Sequence, residues 1–240
     1  MFPYRVDNPR STPAIATWTI IALNVLVWVF VEGMGNEVIL IGQLCNLGLI
    51  PARLFGHVLP GSTIDLGEHV SCVVGSAPAW LTVFSSMFMH GGWFHLIGNM
   101  WFLWLFGPNV EDAMGSVRYT FFYLFVGLAA AAGQVLADPD STLPMVGASG
   151  AISGIMGAYM ILFPTVRVHV WIFLGVFATR VNVPAYAMLG YWLVLQLLGA
   201  NVSALGAEGG GVAFVAHASG FIAGALLVLM LRRRALVAAA

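Results

Sequence analysis

The sequence predicts an all-α polytopic membrane protein, organised as a bundle of six transmembrane helices with a first loop embedded in the membrane. Of the 240 residues, 60% are hydrophobic and 8% are charged, whereas a soluble domain carries about three times that charged fraction. Apolar stretches long enough to cross a bilayer core of roughly 30 Å recur along the chain. The charged residues lie mainly between these stretches or at their ends.

The apolar stretches set the order of elements in what we expect to be a single membrane domain, residues 1–240. The predicted spans are residues 14–31, 93–110, 119–136, 149–164, 184–198 and 213–231. Residues 1–13 and 232–240 are predicted to be tails. The fourth span has glycines at Gly150, Gly154 and Gly157, and such small residues favour close helix packing in membranes.

Residues 35–80 form a predicted outer loop that is too polar to span and too apolar to float free. We expect this loop to lie half-submerged and docked on span two, with Arg53 reaching outward. Its apolar residues at the bilayer interface would be Leu47, Leu49, Ile50, Leu54 and Phe55. Cys45 and Cys72 are the only cysteines, and spacing alone leaves open whether they form a disulfide or stay as two thiols.

Residues 165–183 do not fit the pattern of a span. Arg167, His169 and Arg180 flank an apolar stretch of only about twelve residues, which is too short to cross a bilayer. We therefore predict that this segment lies at the membrane interface.

The arginines predict the orientation of the bundle. Six spans place both termini on one side, and most arginines fall on that side: Arg5, Arg10, Arg118, Arg167, Arg180 and Arg232 to Arg234. Only Arg53 falls opposite. The positive-inside rule makes the arginine-rich side cytoplasmic. We expect a plasma (inner) membrane protein whose partners are the lipid bilayer and other membrane proteins, with no nucleic acid, metal or cofactor.

Ser149 is the first candidate for chemistry because it stands between Gly147 and Gly150 at the start of an apolar helix. Glycines weaken a helix start, and a hydroxyl at that depth needs a partner. They also let the backbone turn sharply and a substrate carbonyl approach, which suits a nucleophile. His217, near the start of the last span, is a candidate base. Both residues lie in the outer half of the membrane, judged from the arginines that end their spans.

The start of span two supplies further polar groups at the same side. His95 and Asn99 are four residues apart and share a helix face, and both can donate hydrogen bonds to an oxyanion. His90 is expected to lie off the helix and to hold the loop. Polar residues in spans also hold helices together without any catalysis, so Ser149 and His217 alone leave a structural role open.

The sequence lacks the residues that two other classes of intramembrane protease, metalloproteases and aspartyl proteases, need. A metalloprotease needs His-Glu-x-x-His on a helix, and the sequence has no such run. An aspartyl mechanism needs two aspartates that share a proton inside the membrane, whereas the aspartates here fall in predicted loops or at span ends.

In combination, these motifs resemble the rhomboid family of intramembrane serine proteases over roughly residues 80–231. The resembling elements are His90-x4-His95-x3-Asn99, Gly-Ala-Ser149-Gly, Ala-His217-x-x-Gly and Gly107-x-x-x-Glu111. The resemblance implies a six-helix bundle of rhomboid type in which Ser149 is the nucleophile and His217 its base. It also implies an oxyanion hole of His95, Asn99 and the Ser149 backbone N–H, with Glu111 in a structural role. In several members of the family a tyrosine one turn after the nucleophile packs on the catalytic histidine. In this sequence Ser153 occupies that position.

Two functions remain open. One is an endopeptidase that cleaves peptide bonds in or near transmembrane helices of other membrane proteins. The other is a catalytically silent rhomboid-like protein that binds or escorts membrane proteins. Because the sequence retains both Ser149 and His217, it favours the protease.

Overall fold

The computed structural model describes residues 2–67, 70–174, 177–204 and 213–231. Its helices within these ranges are α1 (Ile15–Phe30), α2 (Glu37–Leu47), α3 (Pro51–Leu54), α4 (Ala79–Ser85), α5 (Trp93–Met114), α6 (Ser116–Ala137), α7 (Ser149–Leu162), α8 (Ala185–Ala204) and α9 (Phe214–Leu231). The strands are β1 (Phe2–Val6), β2 (Thr63–Gly67), β3 (Val70–Val73), β4 (Arg167–Leu174) and β5 (Phe177–Pro184). The glycine-rich residues 207–212, between the fifth and sixth predicted spans, and the predicted tail at 232–240 lie outside the described residues.

Six helices coincide with the six predicted apolar stretches, namely α1, α5, α6, α7, α8 and α9. Among the described residues, α6 and α9 meet the length and hydropathy of a membrane span, with mean hydropathies of 1.7 and 2.1. The structure extends α5 beyond the predicted end at residue 110, because Glu111 is buried inside the protein. The helix ends at Gly115, whose φ of 85° favours glycine.

Helix α7 lies at the centre of the bundle and packs against α5, α6, α8 and α9. Its contact with α9 depends on glycines that let the two backbones touch. A Cβ on Gly224 would overlap the carbonyl of Gly154, and one on Gly157 would overlap the carbonyl of Phe221. The small residues predicted to favour close packing therefore lie at this helix pair.

The all-α prediction is wrong in one respect, because the N-terminal tail and residues 167–184 form an antiparallel sheet of order β1-β4-β5. Strand β4 alternates in the manner of a half-buried strand: Val168 and Val170 are buried in the main core, whereas Arg167 is exposed. Residues 165–183 thus do not cross the membrane as a helix but form most of a hairpin of β4 and β5. Residues 2–6 supply the third strand of the sheet.

The loop of residues 35–80 is folded, and two details of its prediction are wrong. Leu49 and Ile50 are fully buried, and Leu49 packs against α6, where span two was expected. Arg53 is also buried, because its guanidinium donates hydrogen bonds to the carbonyls of Gly75 and Ala77. A buried guanidinium is satisfied by such acceptors and has no need to reach outward. Cys45 and Cys72 are joined as a disulfide, which answers the question that spacing left open.

Candidate active site

Helices α5, α7 and α9 begin at the same end of the bundle, and each carries one of the predicted site residues near its start. Ser149 is the first residue of α7, and His217 lies in the first turn of α9. The Ser149 Oγ and His217 Nε2 atoms are 2.8 Å apart, which is hydrogen-bonding distance. The structure therefore brings together two groups that are 68 residues apart in the chain.

The glycines beside Ser149 make this geometry possible. Gly147 has φ 128°, a conformation that L-amino acids with a side chain rarely adopt. A Cβ there would also lie 2.8 Å from His95 Nε2 and 3.3 Å from Ser149 Oγ. At Gly150, a Cβ would lie 2.6 Å from the Cβ of Ala130 on α6. A side chain at Gly147 would occupy the space between the His95 ring and the Ser149 hydroxyl.

His95 and Asn99 bring unused hydrogen-bond donors to this end of the bundle. The Nδ1 atom of His95 accepts a hydrogen bond from the Gly91 N–H at 3.3 Å, so a neutral ring carries its proton on Nε2. That Nε2 is the atom that faces Gly147. Asn99 is buried, and its Nδ2 has no hydrogen-bond partner among the described residues. A buried donor without a partner is costly, which is compatible with a group kept free for a ligand.

His90 lies off the helix, as predicted, and is fully buried. Its backbone N–H donates to Glu32 Oε1 at 2.7 Å, and its ring meets the His95 ring edge-on at 5.2 Å. Burial lowers the pKa of His90 to about 3, with a further contribution from His95, so the ring is neutral. Burial raises the pKa of Glu32 to about 7. Sequence reasoning passed over Glu32 because it stands alone just after the first span.

Glu111 connects α5 to the start of α1. Its carboxylate accepts hydrogen bonds from the Ala16 and Thr17 backbone N–H groups, each at 2.8 Å, and from the Thr17 and Ser116 hydroxyls. The first N–H groups of a helix have no partner within that helix, and Glu111 satisfies two of them. These contacts fit the structural role that the resemblance implied.

Two residues of α8, Gln196 and Trp192, complete the surroundings of His217. The Gln196 Oε1 atom lies 2.8 Å from His217 Nδ1, and the Trp192 and His217 rings are 5.9 Å apart. Ser153, which stands at the family tyrosine position, turns away and donates to the Ser149 carbonyl. The sequence analysis missed Gln196, although it is the single amide side chain of the predicted span 184–198, a signal that could have identified it.

The site borders a cavity of about 30 Å³ that lies beside Ser149 and Gly150 and is closed by Ala130 and Ala216. A buried water needs a cavity of at least about 10–15 Å³, so this volume is enough for one or two water molecules. On one wall, the Ala216 N–H donates to Gln134 Oε1 of α6, which satisfies one of the free N–H groups at the start of α9.

Comparisons with known proteins agree with this architecture. The family described as Rhomboid domain matches residues 77–234. Rhomboid-like protein 11, chloroplastic, from Arabidopsis thaliana is 29% identical over 198 residues, which cover 79% of this chain and 64% of that protein. Rhomboid protein 1, mitochondrial, from Saccharomyces cerevisiae is 26% identical over 61% of this chain and 40% of its own length. Rhomboid protease GluP from Bacillus subtilis is 36% identical over 34% of this chain and 15% of its own.

The match defines the class of protein: an integral membrane protein built as a polytopic helical bundle. The chain belongs to the rhomboid family. It spans less than two thirds of the length of each of the three relatives.

Proposed function

We propose that the protein is an intramembrane serine endopeptidase that hydrolyses peptide bonds in or near the transmembrane helices of other membrane proteins. One observation carries the proposal: the 2.8 Å contact between Ser149 Oγ and His217 Nε2, two polar groups supplied by different helices at the same end of the bundle. A nucleophile within hydrogen-bonding distance of a base is what serine-dependent acyl transfer requires.

In this mechanism Ser149 Oγ attacks the carbonyl carbon of the scissile bond while His217 Nε2 accepts the hydroxyl proton. The negative charge on the substrate oxygen is stabilised by Asn99 Nδ2, His95 Nε2 and the Ser149 backbone N–H. His217 then gives its proton to the leaving amine as the C–N bond breaks. Water then attacks the carbonyl carbon of the remaining ester while His217 Nε2 takes a proton from that water. His217 returns this proton to Ser149 Oγ as the acyl C–O bond breaks, which frees the serine and releases a carboxylic acid.

Contacts near the ends of the helices support a path in which α1, α5, α6 and α7 each cross the membrane. The Ser11 hydroxyl donates to Asp112 Oδ1 at 2.9 Å, α1 lies between these two residues, and Asp112 lies beyond the predicted end of span two. His57 and Asp140 are in contact at 2.7 Å across α5 and α6, and β1 pairs with β4 across α1, α5, α6 and α7. Residues that meet outside the membrane lie on one face of it, so an even number of crossings must separate them. Each of these pairs is separated by two or four.

The orientation belongs to the same proposal. The arginine distribution supports tails on the cytoplasmic side. The plasma (inner) membrane is part of the proposal that this distribution does not test, since the positive-inside rule orients a chain without selecting a membrane, and two of the relatives carry the words chloroplastic and mitochondrial in their names.

Activity is tested with the purified full chain in liposomes, by cleavage of a single-span substrate and by labelling with a fluorophosphonate. We expect Ser149→Ala and His217→Ala to abolish both readouts at unchanged thermal stability. Ser153→Ala is the matched control, because that serine lies one turn further along α7 and its hydroxyl donates to the Ser149 carbonyl. The activity of this variant should stay within a few-fold of the parent. A parent that binds the substrate without cleaving it and takes no label would be a silent rhomboid-like protein.

A further inference from the structure

The imidazole of His217 is held at both of its nitrogen atoms. Nε2 faces Ser149 Oγ, and Nδ1 faces Gln196 Oε1, each at 2.8 Å. A neutral imidazole has one N–H and one lone pair, so the partner of Nδ1 determines which form Nε2 takes. Only the form with its proton on Nδ1 leaves Nε2 free to accept the serine proton.

The orientation of the Gln196 amide follows from its second contact. Its Nε2 atom lies 3.5 Å from the backbone carbonyl oxygen of Trp192, one turn earlier in α8. A carbonyl only accepts hydrogen bonds, so the NH₂ group faces it and the amide oxygen faces the histidine. That oxygen can only accept as well, and His217 Nδ1 must therefore be the donor.

We propose that Gln196 is the positioning residue of the dyad: it accepts the Nδ1 proton of His217 and so holds the ring in the form that acts as a base toward Ser149. The inference rests on the proposed function and assigns to a neutral amide the part that a carboxylate has in a Ser-His-Asp triad. An amide suits this location, because Gln196 is 8% exposed on an apolar helix and a buried carboxylate would cost far more.

A purely structural role for Gln196 is the competing explanation, since it connects α8 to α9. Other contacts already hold these helices together. The Trp192 and Phe221 rings stack at 5.9 Å, and Gly199 allows the Phe214 ring to approach the α8 backbone. Loss of one amide should therefore leave α8 docked and the protein folded.

The test compares Gln196→Leu and Gln196→Glu in the full chain, by the rate of fluorophosphonate labelling of Ser149 and by kcat and KM for the single-span substrate. Leucine removes the acceptor, and we expect kcat and the labelling rate to fall about 10- to 10³-fold with KM unchanged. This is less than the roughly 10⁴-fold loss when a triad aspartate becomes asparagine, which fixes the wrong tautomer. Glutamate keeps an acceptor and should recover most of the rate, with a different pH–rate profile.

Asn201→Leu is the matched control, because Asn201 is an exposed amide of the same helix whose side chain donates, among the described residues, to the Leu197 carbonyl alone. It should label at the parental rate. A packing role predicts the opposite order for the two Gln196 variants, since leucine fits an apolar site better than glutamate. If Gln196→Leu labels as fast as the parent, or if a folded Gln196→Glu is as slow as Gln196→Leu, the proposal is wrong.

A second measurement is independent of proteolysis, and its decisive result comes from the parent protein. In the parent labelled with ¹⁵N-histidine, the His217 ring should carry its proton on Nδ1, whereas in Gln196→Leu both forms should be populated. A parental ring protonated on Nε2 would overturn the assignment of Gln196. A parent with Nδ1 protonated but with no label on Ser149 would overturn the proposed function and leave the role of Gln196 intact.

Discussion

The unpaired amide of Asn99 gives the sharpest prediction at the scale of single residues. Its Nδ2 is buried without a partner among the described residues, as expected for a group that bonds only when the substrate oxygen becomes negative. We expect Asn99→Ala to lower kcat about 10²–10³-fold with KM nearly unchanged, which is the usual cost of losing one oxyanion donor. Steady-state cleavage of the single-span substrate measures both constants.

The matched control for this prediction is Asn109→Ala on the same helix, because that amide already bonds to the Asn8 carbonyl. It should lower thermal stability more than turnover. If Asn99→Ala raises KM and leaves kcat unchanged, Asn99 contributes to ground-state binding and the assigned role is wrong.

Glu32 makes stability depend on pH. Burial raises its pKa from 4.5 to about 7 in the folded state, so the folded protein binds the proton more tightly than the unfolded chain. The stabilising contribution is complete below about pH 4.5 and is lost as pH rises through 7. We expect the free energy of unfolding of Glu32→Gln to rise relative to that of the parent as the pH increases from 5 to 8. The change in this difference should be on the order of 3 kcal/mol at most.

Thermal unfolding at pH 5, 6, 7 and 8 measures this difference. Glu37→Gln, which changes an exposed carboxylate in α2, serves as the control and should leave the pH dependence of the parent unaltered. A gap between Glu32→Gln and the parent that is the same at pH 5 and pH 8 would contradict a titration of Glu32 in this range.

At the scale of helices, the contact between α7 and α9 sets the distance between the serine and its base. A Cβ on Gly224 would overlap the Gly154 carbonyl and lie 2.6 Å from the Gly154 Cα. We expect Gly224→Ala to push the helices apart, to cost about 1–3 kcal/mol and to slow the labelling of Ser149. Thermal unfolding and the labelling rate report these two effects.

Gly190→Ala on α8 is the control, since nothing lies within 4 Å of a Cβ at that position. Alanine favours helix over glycine by roughly 1 kcal/mol, so this variant should be as stable as the parent or slightly more stable. Equal losses at both positions would mean that the close approach of α7 and α9 is not what Gly224 provides.

The helices α1, α5, α6, α7, α8 and α9 could be predicted from the sequence because each is a long apolar stretch bounded by polar residues. The short helices α2, α3 and α4 were not predicted. The sheet was not predicted, since the apolar run in residues 165–183 was judged by its length alone. The alternation of Val168 and Val170 with polar neighbours was present, but the partner strand β1 lies at the other end of the chain. Ser149 and His217 were found from their motifs. Gln196 was not, because its role depends on where α8 lies relative to α9.

At the scale of the whole molecule, the proposed path places residues 9 and 165 on one face of the membrane and residue 142 on the other. We expect a membrane-impermeant maleimide to label Thr142→Cys in right-side-out vesicles, and Pro9→Cys and Thr165→Cys in inverted ones. The three positions are exposed, and the native cysteines are joined to each other. Labelling of Pro9→Cys and Thr165→Cys from opposite sides would contradict the even number of crossings.

The pairing of β1 with β4 also determines when the protein can be completed during synthesis. Val6 is synthesised before its partner Val168, which follows about 160 residues later, after α1, α5, α6 and α7 have been synthesised. At about 5–20 residues per second, the first strand remains without its ladder for roughly 8–32 s. During that time its unpaired backbone edge is open to other extended chains. Strand β1 is thus synthesised well before the strand whose pairing fixes its final place.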